Sequence, residues 1–307
     1  MSEAEMNSMI IGVLAAVLLG GLLWGWYRRR WLAGLRPQRA RAGLDCAGEL
    51  VALVAEVQQH RGMSGAWLAG DQGFAGRLPA KQQAVARGFQ ALLAHGEREQ
   101  RERYCCFGRD QVTVLQRQWQ GLVQGLAAST PEQNFQAHCR LVSVLLEWLA
   151  AVAEARIEQP QVLAGAGDSE RNFGHRLPAL AECLGQARAL GSSVAARRYC
   201  PPVARVRLLF LTGRAESLLV QALAAGGQGA EVNAARQAVH VFISALRDRL
   251  LPADAAGMSA VDCFNLGTAA VDAVFRWLEQ ERLRLDGALG QAATGIPAWT
   301  ATAPGAS

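Results

Sequence analysis

Two arginines stand where the helical pattern of the chain calls for apolar side chains. Arg61 follows Val54 and Val57 at intervals of three or four residues, so the three side chains share one face of a helix. Arg188 follows Leu184 in the same way on a second predicted helix. Because a guanidinium is permanently charged, each arginine needs a partner when that face is buried.

Two kinds of partner are compatible with these arginines. One is structural: a carboxylate of the chain, with Glu56 and Glu182 as candidates, or solvent reached by a snorkelling side chain. The other is an external anion in a small cavity that both arginines face, since a guanidinium binds planar oxyanions through two parallel N–H donors. Without that anion the two cations repel each other, which makes the contact dependent on ligand. Small neighbours that leave space for an anion include Gly62, Ser64 and Gly185.

A third predicted helix carries Arg207 and Arg214 one heptad apart, on the flanks of its apolar seam. Charged residues at flanking positions usually form a solvated edge, but these two could also complete an anion pocket. The candidate ligand contacts are therefore Arg61, Arg188, Gly62, Ser64, Gly185 and Arg214.

Other chemistries lack their usual residue patterns. The five histidines form no H-x-x-x-H pair and the seven cysteines form no C-x-x-C pair, so neither a metal site nor a cofactor is expected. The sequence contains no G-x-S-x-G, phosphate-loop or paired-carboxylate motif, which argues against an enzyme. The adjacent Cys105 and Cys106 are either redox-active or inert thiols.

The elements that must position these residues are predicted to be helices throughout. Hydrophobic residues make up 51% of the chain and recur at helical spacing, and no alternating run is long enough to propose a strand. The predicted fold is all-α, with about eight antiparallel helices in one or two four-helix bundles. The Gly-rich stretch 160–174 divides these helices four and four in the sequence, although long helices could still be shared between two bundles in space. Their predicted ranges are 44–70, 77–104, 110–128, 132–158, 175–199, 202–226, 230–251 and 258–286.

The N-terminal region has the pattern of a membrane anchor. Residues 9–26 contain no charge and are just long enough to span a bilayer, although a buried core helix or a cleaved signal peptide would share that composition. Six arginines follow between residues 28 and 41, and positive flanks stay cytoplasmic. The odd number of cysteines also fits a reducing compartment. We therefore predict a single-pass protein of the inner (cytoplasmic) membrane whose C-terminal domain lies in the cytoplasm.

Charge and composition give the remaining boundaries. Once those six arginines are set aside, basic and acidic residues nearly balance, so the body lacks the basic surface of a nucleic-acid binder. The predicted organisation is a tail and transmembrane helix at 1–27, a basic linker at 28–43, a helical domain at 44–286 and a disordered tail at 287–307.

The segments around the two arginines resemble a known family. Residues 58–64 (QQHRGMS) are similar to the Q-x-E-R-G-x-S segment of nitrate- and nitrite-sensing (NIT) domains, and residues 182–189 (ECLGQARA) to the K-E-x-x-G-x-E-R-A segment. The resemblance implies an all-helical domain of four-helix bundles that binds nitrate or nitrite through Arg61 and Arg188. His60 stands where the family usually has a glutamate, and Ala187 where it often has another. The loss of these two countercharges predicts a site that either binds anions more strongly or is tuned to another ligand.

Two functions follow as hypotheses. The first is a membrane-anchored sensor of nitrate, nitrite or a similar small anion, in which ligand draws helices together and the signal passes to a separate protein. The separate partner is expected because family members usually carry an output module, and none is recognisable here. The alternative is a membrane-tethered scaffold or assembly protein that has lost ligand binding. Sensor bundles often act in pairs, so the sequence also allows a homodimer.

Overall fold

The computed structural model describes residues 3–158, 169–226, 228–252 and 257–294. Every regular element in these ranges is a helix, which confirms the predicted all-α class. The α-helices are α1 (Glu3–Leu68), α2 (Leu78–Glu99), α3 (Arg109–Gln124), α4 (Pro131–Val152), the short α5 (Ser169–Arg171), α6 (Leu177–Arg197), α7 (Pro202–Ala224), α8 (Ala230–Arg249) and α9 (Ala260–Thr294).

The long helices form two adjacent four-helix bundles. In the first bundle the C-terminal part of α1 packs with α2 and α4, and α3 closes the ring between them. In the second, α6 packs on α7 and α9, while α8 closes the ring. The bundles meet where α1 contacts α6 and α9. The prediction of four helices on each side of the Gly-rich stretch is therefore confirmed, and Arg61 and Arg188 lie on the helices that join the two bundles.

Local sequence explains where several helices begin and end. Thr130 and Gln133 form a capping box, in which the Thr130 hydroxyl accepts from the Gln133 N–H and the Gln133 side chain accepts from the Thr130 N–H. Pro131 then occupies the first helical position, where a missing N–H costs nothing. π-helical turns at Ala153–Ile157 and Asn172–Arg176 flank the undescribed residues 159–168.

The described helices extend beyond their predicted limits at both ends of the body. The region expected to be a linker, 28–43, is part of the continuous helix α1, and Ala40 is already buried. At the other end α9 passes residue 286 and continues to Thr294, so the first part of the expected tail is helical. The reason is burial of a continued seam, since Leu289 is buried one turn beyond the predicted end. Residues 295–307 lie outside the described residues.

The predicted membrane span falls within α1, but the side chains of residues 9–20 lie outside the described part of the structure. Among the described residues, one segment is long and apolar enough to cross a membrane, Pro131–Ile157, with a mean hydropathy of 1.2. In the structure this segment belongs to the first bundle, where Leu141, Leu145 and Leu149 form a buried face at helical spacing. Its apolar character is therefore explained by the core that it builds.

Candidate functional site

Arg61 forms a buried two-point ion pair between the bundles. Its side chain is about 1% exposed, and its Nη1 and Nη2 donate to Oε1 and Oε2 of Glu182 on α6 at 2.6 and 3.1 Å. Nη1 also lies 3.2 Å from Sγ of Cys139 on α4. Burial disfavours the charged form of Arg61, but the Glu182 charge and hydrogen bonds outweigh it, so the pKa of Arg61 is raised. The guanidinium is therefore held as a cation by the protein itself.

Glu182 receives further donors that complete its hydrogen bonding. The amide nitrogens of Gln58 and Gln186 donate to its two oxygens, each at 2.8 Å. Gln58 lies one helical turn before Arg61, and Gln186 lies one turn after Glu182, so helical spacing directs both amides toward the same carboxylate. Of the two candidate carboxylates, Glu182 is the partner of Arg61, because Glu56 pairs with Lys81 at 2.7 Å.

Arg188 has a different environment, although it is also buried. Its Nη1 donates to Oγ1 of Thr268 on α9 at 2.9 Å, and its guanidinium carbon lies 5.0 Å from the centre of the Phe264 ring. Within the described residues, its Nε has no hydrogen-bond partner and no carboxylate lies within ion-pair distance. Burial, followed by the repulsion of Arg61, lowers the pKa of Arg188 to about 10. Arg188 is thus a buried cation with no carboxylate in direct contact among the described residues, although the charges of Asp272 and Glu182 act on it from a greater distance.

A cavity of about 340 Å³ lies next to Arg188, and we call it the Arg188 cavity. Three helices form it: α1 contributes Gln58 and Gly62, α6 contributes Arg188, and α9 contributes Thr268 and Asp272. Since a water molecule occupies about 30 Å³ of liquid, the volume suffices for a small anion and several waters. The other lining residues are mostly apolar or aromatic: Ala55, Gln59, Met63, Phe74, Arg77, Phe264, Val271 and Phe275.

The two glycines of the arginine motifs are packed reciprocally. A Cβ added to Gly185 on α6 would lie 2.8 Å from Nη2 of Arg61, and one added to Gly62 on α1 would lie 3.3 Å from Nη2 of Arg188. Each helix therefore presents an arginine to the glycine of the other. We call Arg61 with Gly185 and Glu182 the Arg61 half-site, and Arg188 with Gly62, Thr268 and the Arg188 cavity the Arg188 half-site.

The structure places Ser64 and Arg214 away from the Arg188 cavity. Ser64 is buried on the α4 side of α1, where its hydroxyl accepts from the Asn134 amide at 3.0 Å. Arg214 is exposed on α7 and lines a separate cavity of about 730 Å³. It neighbours Cys183, where burial raises the thiol pKa to about 11 against the lowering effect of the Arg214 charge. The structure therefore brings Arg61, Arg188, Gly62 and Gly185 together, but neither of these two.

His60 faces the interior of the first bundle and does not line the Arg188 cavity. Gln82 approaches its Nε2 at 3.5 Å, its Nδ1 lies 2.8 Å from Nε2 of His138, and Nδ1 of His138 lies 2.7 Å from the Asn134 carbonyl. Because a carbonyl only accepts, this chain assigns one proton to each ring. Burial, with smaller charge effects, lowers the pKa of His60 to about 4 and of His138 to about 3. His60, at the position where the family usually has a glutamate, therefore contributes to packing within the first bundle. Because it does not line the Arg188 cavity, His60 itself gives no support to the expectation of stronger anion binding.

Sequence reasoning missed the contribution of α9. Thr268 and Phe264 lie one turn apart and cover Arg188 from one side. A Cβ added to Gly267 would lie 2.7 Å from Cβ of Arg188, so this glycine permits the close approach of α9 to α6. The signal in the sequence was the small and polar pair Gly267-Thr268 within an otherwise apolar helical seam.

The remaining candidate groups are located as follows. Cys105 is exposed and Cys106 is half-buried, and burial raises the pKa of the Cys106 thiol to about 12. A thiol with a raised pKa is a poor nucleophile at neutral pH, which favours the inert interpretation for Cys106. The described ranges contain no cluster of three or more His, Cys, Asp or Glu side chains suited to a metal ion.

Comparisons with known proteins give a family and a fold. Residues 52–286 match the family model for nitrate and nitrite sensing, a range that includes both arginine motifs. The solved structure of the NasR transcription antiterminator is similar to this chain with a TM-score of 0.71 and 19% sequence identity, over 90% of this chain and 76% of that one. At this identity the likeness establishes the fold alone. No curated protein sequence matches the chain significantly.

Proposed function

Because the chain belongs to the nitrate- and nitrite-sensing family, we propose that the Arg188 cavity binds a small oxyanion, with nitrate and nitrite as the first candidates. The observation that carries this proposal is Arg188 itself. It is 6% exposed, it faces a cavity, and the described residues place a hydroxyl but no carboxylate within bonding distance of its guanidinium. A buried guanidinium in this condition is a strong donor for an anion that fits.

The charge balance of the site favours a monovalent anion. The buried charged groups that the structure describes between α1 and α6 are Arg61, Glu182 and Arg188, which together carry one excess positive charge. Arg77 and Asp272 line the cavity from exposed positions and carry opposite charges. One nitrate or nitrite would neutralise the excess, whereas sulfate would leave an uncompensated negative charge in a buried place. Discrimination against divalent anions is therefore expected.

The position of the cavity between helices of both bundles would allow anion binding to change how the bundles pack against each other. The anion would contact groups on α1, α6 and α9, which belong to both bundles, and would draw the two bundles together. Helix α1 is continuous from Glu3 to Leu68, so the predicted membrane segment and the cavity share one helix. About 50 Å of helix would separate Trp26 from Arg61 at the usual rise per residue. We propose that movement of α1 carries the signal to a separate protein.

Membrane anchoring belongs to the same proposal and rests on the sequence of residues 9–41. The expected result is that the full-length chain sediments with membranes, resists extraction by high salt and is released by detergent. A reporter active only outside the cytoplasm should be active at the N-terminus and silent at the C-terminus. Recovery of the full-length protein in the soluble fraction would contradict the anchor.

The scaffold alternative is supported by one specific observation, the Arg61–Glu182 pair. This pair already satisfies one of the two arginines that the family resemblance assigns to the ligand. A scaffold would use the pair to fix one arrangement of the two bundles. It predicts a folded protein that binds no anion at all, so one titration separates the two functions.

The decisive experiment is isothermal titration of the purified full-length chain with nitrate, nitrite and sulfate. We expect about one nitrate or nitrite per chain and much weaker binding of sulfate. Substitution of Arg188 by Gln should abolish the heat of binding while circular dichroism shows an intact helical fold. Arg247, which forms an exposed ion pair with Glu216, offers a matched control, and Arg247→Gln should bind as the wild type does. A folded wild type that binds neither anion would exclude the sensor function.

A further inference from the structure

We propose that Glu182 is a built-in ligand of the Arg61 half-site, a tethered carboxylate that occupies the position of a second oxyanion and limits the site to one external anion. This inference rests on the proposed function, because it assigns the regulation of the same site. It departs from the expectation that both arginines contact one external ligand. In the structure one arginine is already bound by an anion that the chain itself supplies.

The first argument is the equivalence of the two half-sites. Each consists of a buried arginine from one helix placed against a glycine of the facing helix. Each guanidinium also lies near an aromatic ring, Phe135 at 5.5 Å for Arg61 and Phe264 at 5.0 Å for Arg188. Two sites of such similar construction would be expected to bind similar partners. Among the described residues, only Arg61 has a carboxylate within ion-pair distance, whereas Asp272 lines the Arg188 cavity from an exposed position without pairing with Arg188.

The second argument is the geometry of that carboxylate. Glu182 binds Arg61 through both oxygens, which is the way a guanidinium would bind nitrate or nitrite. Two amide donors, from Gln58 and Gln186, complete the surroundings of the carboxylate. Such a set of donors suits any small planar oxyanion of matching size.

The third argument is the connection between the half-sites. Gln58 donates to Glu182 through its amide nitrogen and also lines the Arg188 cavity, so its side chain adjoins both the internal carboxylate and the place of the external anion. Glu182 also acts on Arg188 through its charge. The internal carboxylate therefore competes electrostatically with an external anion for the same pair of cations. Its removal should both open the Arg61 half-site and strengthen binding at the Arg188 half-site.

The test uses two substitutions in the full-length chain. Glu182→Gln keeps the shape of the side chain and removes its charge. Glu182→Ala removes the atoms beyond Cβ, a methylene and a carboxylate, which together have the size and charge of acetate. The matched controls are Glu216→Gln and Glu216→Ala, because Glu216 also binds an arginine, Arg247, through both carboxylate oxygens, but at the surface. The probes are sodium nitrate in calorimetric titration, and sodium acetate, formate and butyrate in thermal unfolding.

Glu182→Gln, whose amide still fills the Arg61 half-site, is expected to bind one nitrate per chain about tenfold or more tightly than the wild type. Glu182→Ala opens that half-site and is expected to bind about two nitrates per chain. Glu182→Ala is expected to unfold at a lower temperature and to recover most of the loss in acetate or formate, but not in butyrate, which is too large. The Glu216 variants should show neither effect. Unchanged nitrate affinity in a folded Glu182→Gln, or a single nitrate per chain in a folded Glu182→Ala, would overturn the proposal. So would loss of folding in both Glu182 variants that no anion restores.

The same data separate this inference from the proposed function. If the wild type binds nitrate, but acetate does not rescue Glu182→Ala and Glu182→Gln binds nitrate no more tightly than the wild type, the sensor function stands and the built-in ligand is excluded. If the wild type binds no nitrate but acetate rescues Glu182→Ala, the built-in ligand stands and the sensor function falls.

Discussion

Arg61 and Arg188 begin from the same sequence context and reach different chemical states. Both lie on apolar helical seams, both are buried, and both contact a glycine of the facing helix. Arg61 meets Glu182 and becomes half of a neutral pair, while Arg188 meets Thr268 and a cavity. The difference shows that an arginine on an apolar seam marks a buried cation. The facing helices decide whether that cation is structural or available to a ligand.

The two states also have opposite consequences for stability. An ion pair that is buried and fully hydrogen-bonded is strongly destabilised when one partner is removed, because the other charge stays behind. A buried cation without a countercharge already costs free energy, so its removal relieves the folded state. Substitutions at the two arginines should therefore change stability in opposite directions, and the following predictions test that contrast in order of decreasing effect.

The largest effect is expected for Arg61→Ala. This change leaves Glu182 buried without its cation and should lower the free energy of unfolding by about 3–5 kcal/mol. Urea denaturation followed by circular dichroism measures the loss. Arg247→Ala removes an exposed pair of similar geometry and should cost less than about 1 kcal/mol. Equal losses in the two variants would show that burial does not distinguish these pairs.

A smaller effect is expected from the glycines. The Cβ of Gly185→Ala would lie 2.8 Å from a guanidinium that Glu182 holds in place, so it should displace Arg61 and cost about 1–3 kcal/mol. At Gly62 the added Cβ would lie 3.3 Å from Arg188, which is held by a single hydroxyl and can move. The higher helix propensity of alanine should then make Gly62→Ala nearly neutral. The same urea measurement compares them, and a greater loss in Gly62→Ala would reverse the assignment of the rigid half-site.

The contrast between the arginines also defines what the sequence could and could not predict. Helical periodicity located the long helices and both arginines, because 3.6-residue spacing and burial are local properties of a segment. The sequence around the two arginines also singled out Gly62 and Gly185 as small neighbours, and in the structure each lies against the other helix's arginine. The choice of Glu182 over Glu56, and the contribution of Thr268, depend on how α1, α6 and α9 pack. Arg61 and Glu182, for example, are more than a hundred positions apart in the sequence, so no local pattern could specify their contact.

A further test uses pH to separate the arginines from the histidines. The pKa values of His60 and His138 are lowered from 6.5 to about 4 and about 3, respectively. Below pH 6.5 the unfolded chain therefore binds protons on these histidines that the folded chain does not bind. The free energy of unfolding should therefore keep its full value above that pH and fall as the pH decreases toward 4, by about 1 kcal/mol between pH 7 and pH 6. His95, half-exposed and with a lowered pKa, adds to the slope in the same direction.

The measurement is urea denaturation at pH 7 and pH 6, with His60→Gln as the comparison. The glutamine can still donate to His138, and the variant should show a smaller pH dependence. The arginines do not titrate in this range, so the affinity for nitrate should change little between the two pH values. An affinity that falls in parallel with stability would mean that the histidines and the arginine half-sites are coupled.

The smallest effect, and the one whose sign matters most, is expected for Arg188→Met. Methionine keeps much of the arginine stem and removes a buried charge that no carboxylate of the described structure contacts directly. The free energy of unfolding should therefore stay the same or rise by up to about 1 kcal/mol. The measurement must be made with gluconate as the only salt anion, because a small anion in the cavity would stabilise the wild type. Addition of nitrate should then stabilise the wild type and leave Arg188→Met unchanged. A loss of several kcal/mol in Arg188→Met without nitrate would mean that this arginine is as structural as Arg61, and the distinction between the two half-sites would disappear.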